Sequence, residues 1–367
     1  MNITYDLLHS PGNPRNSEGS FIRLNDGRIM LIYTRYQGNR GGDHSYADLV
    51  ALFSNDNGRS WGDEQMIVKN DAVNVMSVSL LRLQDGRIAL AYIRKSLIPG
   101  CACSEDVEVC DCRPLIRFSA DEAESWSEPV DICGYPSATY MVFNNDRLVQ
   151  LSNGRLIVAV AHHHVCAKGA MAARAEGFFF LSDDGGATWR ESKECCYGPQ
   201  WLTSGLREPG VIELKDGTVM AWWRTNSRCH YKAFSQDGGE SWSVPVPAPE
   251  FIGPEAPLSM KRDPETGVLY AVWNDWSPER SVAFKKGVWG RTPLVIAKSC
   301  NEGKSWTNHV VIESEPDHGY CYTAMLFLGK NELLLEYCCG GGGEGQIPLY
   351  DSRLRVLDLD RLNGETE

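Results

Sequence analysis

Glu18, Asn145 and Glu208 each stand nine residues before the glycine of an Asp-Gly or Asn-Gly turn, at Gly27, Gly154 and Gly217. Seven or eight residues beyond the turn glycines of five such segments come Arg35, Arg94, His162, Arg224 and the pair Asn274 and Asp275. In an antiparallel hairpin both offsets fall at the same end of the strands. A sixth segment lacks the turn glycine, but Tyr320 and Tyr322 begin it and Glu336 lies near its end. Carboxylates, guanidinium groups, amides, an imidazole and phenols thus collect on one rim. Strand ends meet solvent and are ordinarily polar, which explains polarity but not so many arginines and carboxylates in register. The arrangement predicts a concave functional face.

Two other clusters carry metal-capable groups. "HHHVC", His162 to Cys166, offers imidazoles, but consecutive strand residues point to opposite faces, so at most two of the three share a site. "CACSEDVEVCDC" holds Cys101, Cys103, Cys110 and Cys112 in paired C-x-C spacing inside a loop, a pattern that fits no common zinc motif. Neither is taken as a metal site, and no cofactor is expected.

The elements that must position the rim repeat along the chain. The pattern S-x-D-x-G-x-x-W starts at residues 54, 119, 182, 235 and 299, with Ala123 for Gly in the second copy and Asn301 for Asp in the fifth. Between the copies run six apolar hairpins such as "FIRLNDGRIMLIYTR", "SLLRLQDGRIALAYIR" and "VIELKDGTVMAWWR". Asp-Gly and Asn-Gly between apolar strands signal tight hairpins, because both turn residues must tolerate positive φ. Two hairpins per roughly 60 residues give a four-stranded antiparallel sheet, and six such sheets give an all-β six-bladed propeller. One domain is expected over residues 1–367, with the first strand, near Ile3 to Leu8, completing the last sheet. The S-x-D-x-G-x-x-W turns read as scaffold: Ser and Asp bond turn amides, Gly takes positive φ and Trp anchors the loop.

Composition narrows the partners. A net charge of −12 over 367 residues argues against nucleic acid and anionic membrane surfaces. No run of 18 apolar residues is present, so no membrane span is expected. The N-terminus has no basic and apolar leader, and 13 scattered cysteines, an odd count, suit a reducing cytoplasm unless a signal has been removed.

With five such turns and six hairpins, the chain resembles the sialidase (neuraminidase) superfamily, whose repeated turn is the Asp box. That resemblance implies a glycan substrate, a clamp of three arginines for a sugar carboxylate, a Tyr nucleophile supported by a Glu, and an Asp acid/base. "REPGVIELKDGTVMAWWR" is similar to the segment bearing the Glu and the second arginine, which fall on Glu208 and Arg224. "GRTPLVIAKSCNEGKSW" resembles the segment of the third arginine, Arg291. "HGYCYTAMLFLGKNELLLEY" is similar to the nucleophile strand, with Tyr320 best placed and Tyr322 second. "YQGNRGGDHSYADLVALFSNDNG" matches the acid/base loop and implies Asp43. Arg35, Arg94, His162 and Glu18 complete the expected substrate-binding rim.

The family's opening Arg-Ile-Pro is absent. "SEGSFIRL" places Glu18 where the first clamp arginine is expected, and Arg15 is the nearest replacement. A pocket-facing Glu18 would repel a carboxylate or neutralise Arg224 or Arg291, and weak sialidase activity would follow. The leading expectation is a retaining exo-glycosidase for sialic acid or a related acidic sugar. The alternatives are a polysaccharide lyase using Tyr320 or His162 as base, and a carbohydrate-binding propeller without catalysis.

Overall fold

The structure, a computed structural model, describes residues 3–98, 110–165, 171–329 and 331–360. Among these the regular secondary structure is all strand apart from one short helical turn at Lys286–Val288. No helix among the described residues is long and apolar enough to cross a membrane.

Four antiparallel sheets have four strands each. The first is built in chain order from Asn16–Arg23, Ile29–Tyr36, Ala47–Ser54 and Gly62–Val68. The sheets beginning at Arg207–Glu213 and Ser259–Arg262 repeat this order. In the last, Cys321–Gly329, Glu332–Cys338 and Ser352–Asp358 are joined by the chain's first strand, Ile3–Leu7, which pairs antiparallel with Ser352–Asp358. The second and third hairpin units form one nine-stranded sheet rather than two separate ones. The inner strand of the third unit is broken into Tyr140–Val142 and Val149–Gln150, and Tyr140 makes a parallel pair with Cys112 of the unit before it.

Packing explains the continuous apolar runs. Along Ile29–Tyr36, Met30 and Ile32 join a core with Leu80 and Leu90 of the next unit, while Ile29, Leu31 and Tyr33 join one with Leu334 and Val356 of the last sheet. Successive side chains point to opposite faces, so a middle strand covered on both faces must be apolar at every position. Similar clusters link each sheet to its successor. Inner strands are also tied across sheets: Asp146 accepts from Ser20 Oγ (3.0 Å), Lys261 Nζ (2.6 Å) and the Met325 amide (3.0 Å).

The Asp boxes are local turns. In the first, Asp56 accepts from Ser54 Oγ and the amides of Arg59 and Ser60, the Gly58 amide donates to Ser54 Oγ, and Trp61 Nε1 donates to Gly58 O at 3.1 Å. Asn301 substitutes for Asp because its Oδ1 accepts from Ser299 Oγ and the Ser305 amide and its Nδ2 donates to Ser305 Oγ. Cys110 and Cys112 lie in the core between strands; Cys101 and Cys103 fall outside the described residues.

Candidate active site

Where the inner strands converge, a cavity of about 250 Å³ opens to solvent. Its wall includes Glu18, Asp43, Ser77, Lys95, Tyr140, Asn144, His163, Arg207, Glu208, Arg224, Trp289, Arg291 and Tyr322. Four of these residues sit on one backbone device. Glu18, Ser77, Glu208 and Tyr322 have φ of 58°, 61°, 48° and 58°, and each lies where strand register slips between the two inner strands of its sheet. A bulge with a left-handed residue rotates that side chain out of the alternating pattern. In these four units the rotated side chain reaches the shared cavity.

Glu208 and Tyr322 meet at its floor. The Tyr322 hydroxyl donates to Glu208 Oε1 at 3.1 Å, and the same oxygen accepts from Arg224 Nη1. Glu208 Oε2 is buried and has no partner among the described residues. Burial would raise the Glu208 carboxyl, but Arg224 and Arg291 outweigh it and hold it below its ordinary value. Burial and the Glu208 charge push the Tyr322 phenol well up against the opposing arginines. Phenol and carboxylate therefore form a neutral donor and charged acceptor across the neutral range. Asn145 fixes the phenol's backbone from below, donating to Tyr322 O and Gly19 O, both at 2.9 Å.

Arg291 lies 5.4 Å from the Tyr322 ring centre and 5.0 Å from that of Trp289. Its Nη1 donates to Cys321 Sγ at 3.0 Å. The Nε atoms of Arg207, Arg224 and Arg291 are all buried with no partner among the described residues. Such N–H groups in a cavity wall carry a desolvation cost that an anionic ligand offsets.

The opposite wall carries Asp43 and Glu18, bridged by Arg15 from behind. Arg15 Nη1 contacts Asp43 Oδ1 and Nη2 contacts Glu18 Oε1, each at 2.6 Å, and Nε donates to Ser17 Oγ at 2.8 Å. Glu18 does not pair with Arg224 or Arg291 as its position suggested; its partners are Arg15 and Ser77 Oγ. Burial acts to raise the Asp43 carboxyl, but Arg15 and Lys95 override it and hold the group well below its ordinary value. The four wall cations Lys95, Arg207, Arg224 and Arg291, with Arg15 behind them, outnumber the carboxylates of Glu18, Asp43 and Glu208 and that of Glu255, which pairs with Arg207 at 2.8 Å. The cavity is cationic within a chain of net charge −12.

The structure corrects several expected positions. Tyr320 does not face the cavity: it is 1% exposed and packs in a core with Tyr270, Leu335 and Tyr337. The bulge begins after Cys321, so Tyr320 keeps the alternating phase and Tyr322 is turned inward. Arg35 pairs with Glu64 at 3.4 Å and Arg94 with Asp71 at 2.8 Å, both away from the cavity. His162 likewise faces the other side of its strand. The reason is parity: residues eight beyond the turn glycine share a face opposite to residues seven or nine beyond it. Arg224, Lys95 and His163 have odd offsets and line the cavity; Arg35, Arg94 and His162 have even ones. Asn274 and Asp275 are buried supports, Asn274 donating to Tyr320 O at 3.1 Å and Asp275 pairing with Arg280. Lys95 and His163 could have been found by the parity rule, and Arg207 is next to Glu208 in sequence. Trp289, 46% exposed at φ 54° beside Arg291, carried no repeat signal.

Glu336 is a buried carboxyl behind this wall. Its Oε1 lies 2.7 Å from Ser352 Oγ and its Oε2 accepts from the Gly19 amide at 3.2 Å, while Ser352 Oγ also lies 3.0 Å from Asn16 O. One hydroxyl proton cannot serve both acceptors, so a protonated Glu336 donating to Ser352 satisfies all three. Burial pushes its carboxyl up to about 8. The folded state therefore holds this proton above pH 4.5, where the unfolded chain releases it, and stability falls as pH rises towards 8. Glu336→Gln should melt like the parent at pH 4 and above it at pH 8. The gain should accumulate at no more than about 1.4 kcal/mol per pH unit. Denaturant midpoints across that range check it; an equal offset at both ends would contradict it.

Repeated four-stranded antiparallel units held by Asp boxes, with a cationic cavity at their inner strands, define a repeat-built all-β protein with a sugar-sized pocket. A BNR repeat-like domain matches residues 53–333, and the chain belongs to the sialidase superfamily with BNR repeats. A sialidase of Paraclostridium sordellii is 27% identical over 241 residues, 61% of this chain and 56% of that protein. An anhydrosialidase of Macrobdella decora is 30% identical over 139 residues, 36% of this chain and 16% of that protein. The matches thus span little more than half of the first relative and a small part of the second. A structure of a protein of unknown function from Dyadobacter fermentans superimposes with a TM-score of 0.71 at 19% identity, over 96% of this chain and 98% of that one. At that identity the likeness is one of fold.

Proposed function

We propose that the chain is a six-bladed β-propeller exo-glycosidase that removes a terminal sialic acid or related acidic sugar with retention of configuration. The observation that carries this reading is the Tyr322 hydroxyl donating to Glu208 at 3.1 Å in a cavity shared with Arg224 and Arg291. A phenol is a poor nucleophile until a base takes its proton, and tyrosine serves as nucleophile in sialidases. As the Tyr322 oxygen bonds to the anomeric carbon, its proton passes to Glu208 and the bond to the leaving oxygen breaks. Asp43 donates a proton to that oxygen, then takes one from the water that releases the sugar. Arg224 and Arg291 hold the sugar carboxylate, with Arg207 and Lys95 on the same wall as further cations. Glu18 is neutralised by Arg15 and leaves Arg224 and Arg291 unblocked, so the lack of an arginine there does not by itself disarm the clamp. The lyase alternative has lost its bases, since Tyr320 and His162 lie outside the cavity.

The test is a side-by-side assay of the protein on an aryl sialoside, aryl uronosides and neutral aryl glycosides. Release of the aglycone from the sialoside alone, with the sugar product first in the substrate's own anomeric form, is expected. An anhydro sugar would mark intramolecular transfer by the same nucleophile. Because Asp43 is held below its ordinary value and must be protonated to act as acid, kcat/KM should rise as pH falls from 8 to 5. Turnover of neutral glycosides only, or an unsaturated uronate product, would overturn the proposal.

A further inference from the structure

Two of the three consecutive histidines leave the cavity and meet a carboxylate on the neighbouring strand. His162 and His164 are two residues apart on Leu156–Val165 and share the face opposite to His163. Glu176, on Met171–Ser182, is the register partner of His162. His164 Nε2 lies 3.1 Å from Glu176 Oε2, and the two imidazole rings are 4.7 Å apart. One ligand atom from each of the three residues falls within 4.8 Å of the others. His162 Nδ1 is buried without a partner among the described residues, and the Phe178 ring, 4.9 Å away edge-on, helps fix the imidazole's plane. His164 is 62% exposed, so the cluster opens to solvent on one side.

None of these side chains lines the cavity, and the glycosidase reading gives them no task. From this geometry we propose that His162, His164 and Glu176 bind one divalent transition ion of the zinc class, with water completing the shell. Two imidazole nitrogens and one carboxylate favour zinc over calcium or magnesium, which take oxygen ligands. Tetrahedral zinc at bond lengths near 2.0–2.1 Å needs its ligand atoms about 3.3 Å apart. The His164 and Glu176 atoms already meet that spacing, and the third needs to close by no more than about 1.5 Å, which side-chain rotation supplies. The ion would join two strands at the end nearest the cavity and hold both residues that flank His163.

The experiment uses the full chain without a histidine tag, stripped with chelator and dialysed, then titrated with Zn²⁺ at pH 7.5. One saturable site and a higher melting midpoint are expected. Co²⁺ in its place should show weak visible bands without a thiolate charge-transfer band. His164→Ala, at an exposed position that keeps the fold, should weaken binding beyond the roughly 100-fold that losing an outer-shell contact costs. Glu176→Gln should weaken it as well, and both variants should melt like the metal-free parent. No saturable binding overturns the proposal. So does binding that both variants retain, or a thiolate band that places the ion on cysteines.

Discussion

Tyr322→Phe should lower kcat/KM on an aryl sialoside by about 10³-fold or more, equivalent to about 4 kcal/mol of barrier, while Tyr320→Phe leaves it within a few-fold of the parent. Phenylalanine keeps the ring that Arg291 approaches to 5.4 Å but removes the hydroxyl that reaches Glu208. The backbone at 322 is already left-handed, so the exchange adds no strain. Tyr320 acts through its main chain instead: its amide donates to Arg291 O at 2.7 Å and its carbonyl accepts from Asn274. Both bonds survive loss of the phenolic oxygen. Steady-state rates on both variants, with matching circular dichroism spectra, decide the matter. Equal losses in the two, or loss only in Tyr320→Phe, would show that the wrong phenol has been assigned.

The second large effect is on stability. Arg15 is 1% exposed, with Glu18 at 3%, and it contacts two carboxylates, Ser17, Gly41 O and the Tyr36 ring at 4.6 Å. Arg15→Met leaves Glu18 as a buried charge with one hydroxyl for company, which costs about 3–5 kcal/mol for breaking a buried pair. Asp43 is half exposed and can rehydrate, so Glu18 accounts for most of the loss. Arg15→Met/Glu18→Gln should accordingly recover much of the stability lost by the single variant. Removing Arg15 also lets the Asp43 carboxyl rise, which moves the loss of activity with rising pH towards neutral pH. Denaturant midpoints of the two variants and the parent test the energetic part. A double variant no more stable than the single one would show that Glu18 is not the stranded charge.

Much of the scaffold was legible because each hairpin announces itself locally. Asp-Gly and Asn-Gly turns, apolar runs and the Ser-Asp-Gly-Trp box depend on a few adjacent residues, and the Ile3–Leu7 strand was readable as the missing partner of the last sheet. Glu208 and Arg224 follow from hairpin position, Arg291 and Asp43 from the resemblance to the sialidase superfamily, and all four line the cavity. What failed was side-chain direction. An offset of eight from the turn glycine selected Arg35, Arg94 and His162, which a strand's two-residue period turns away. Nothing in "HGYCYTAM" signals that a bulge follows Cys321 and turns Tyr322, rather than Tyr320, to the cavity. Register shifts depend on how two strands and the neighbouring sheets fit together, which no short stretch encodes. The Glu18 partner is illegible in sequence for a related reason: Arg15 approaches from behind the wall, across a bulge, rather than around the rim.

The mechanism stands or falls on a covalent bond to one oxygen atom. Incubation with an activated 3-fluorosialosyl fluoride, which slows release of the glycosyl intermediate, followed by intact-mass and peptide analysis, tests it directly. The mass should rise by one glycosyl unit carried on Tyr322, with no adduct on the Tyr322→Phe protein and an unchanged one on Tyr320→Phe. An adduct on another residue, or turnover of sialosides with no Tyr322 adduct under any trapping condition, would contradict the account.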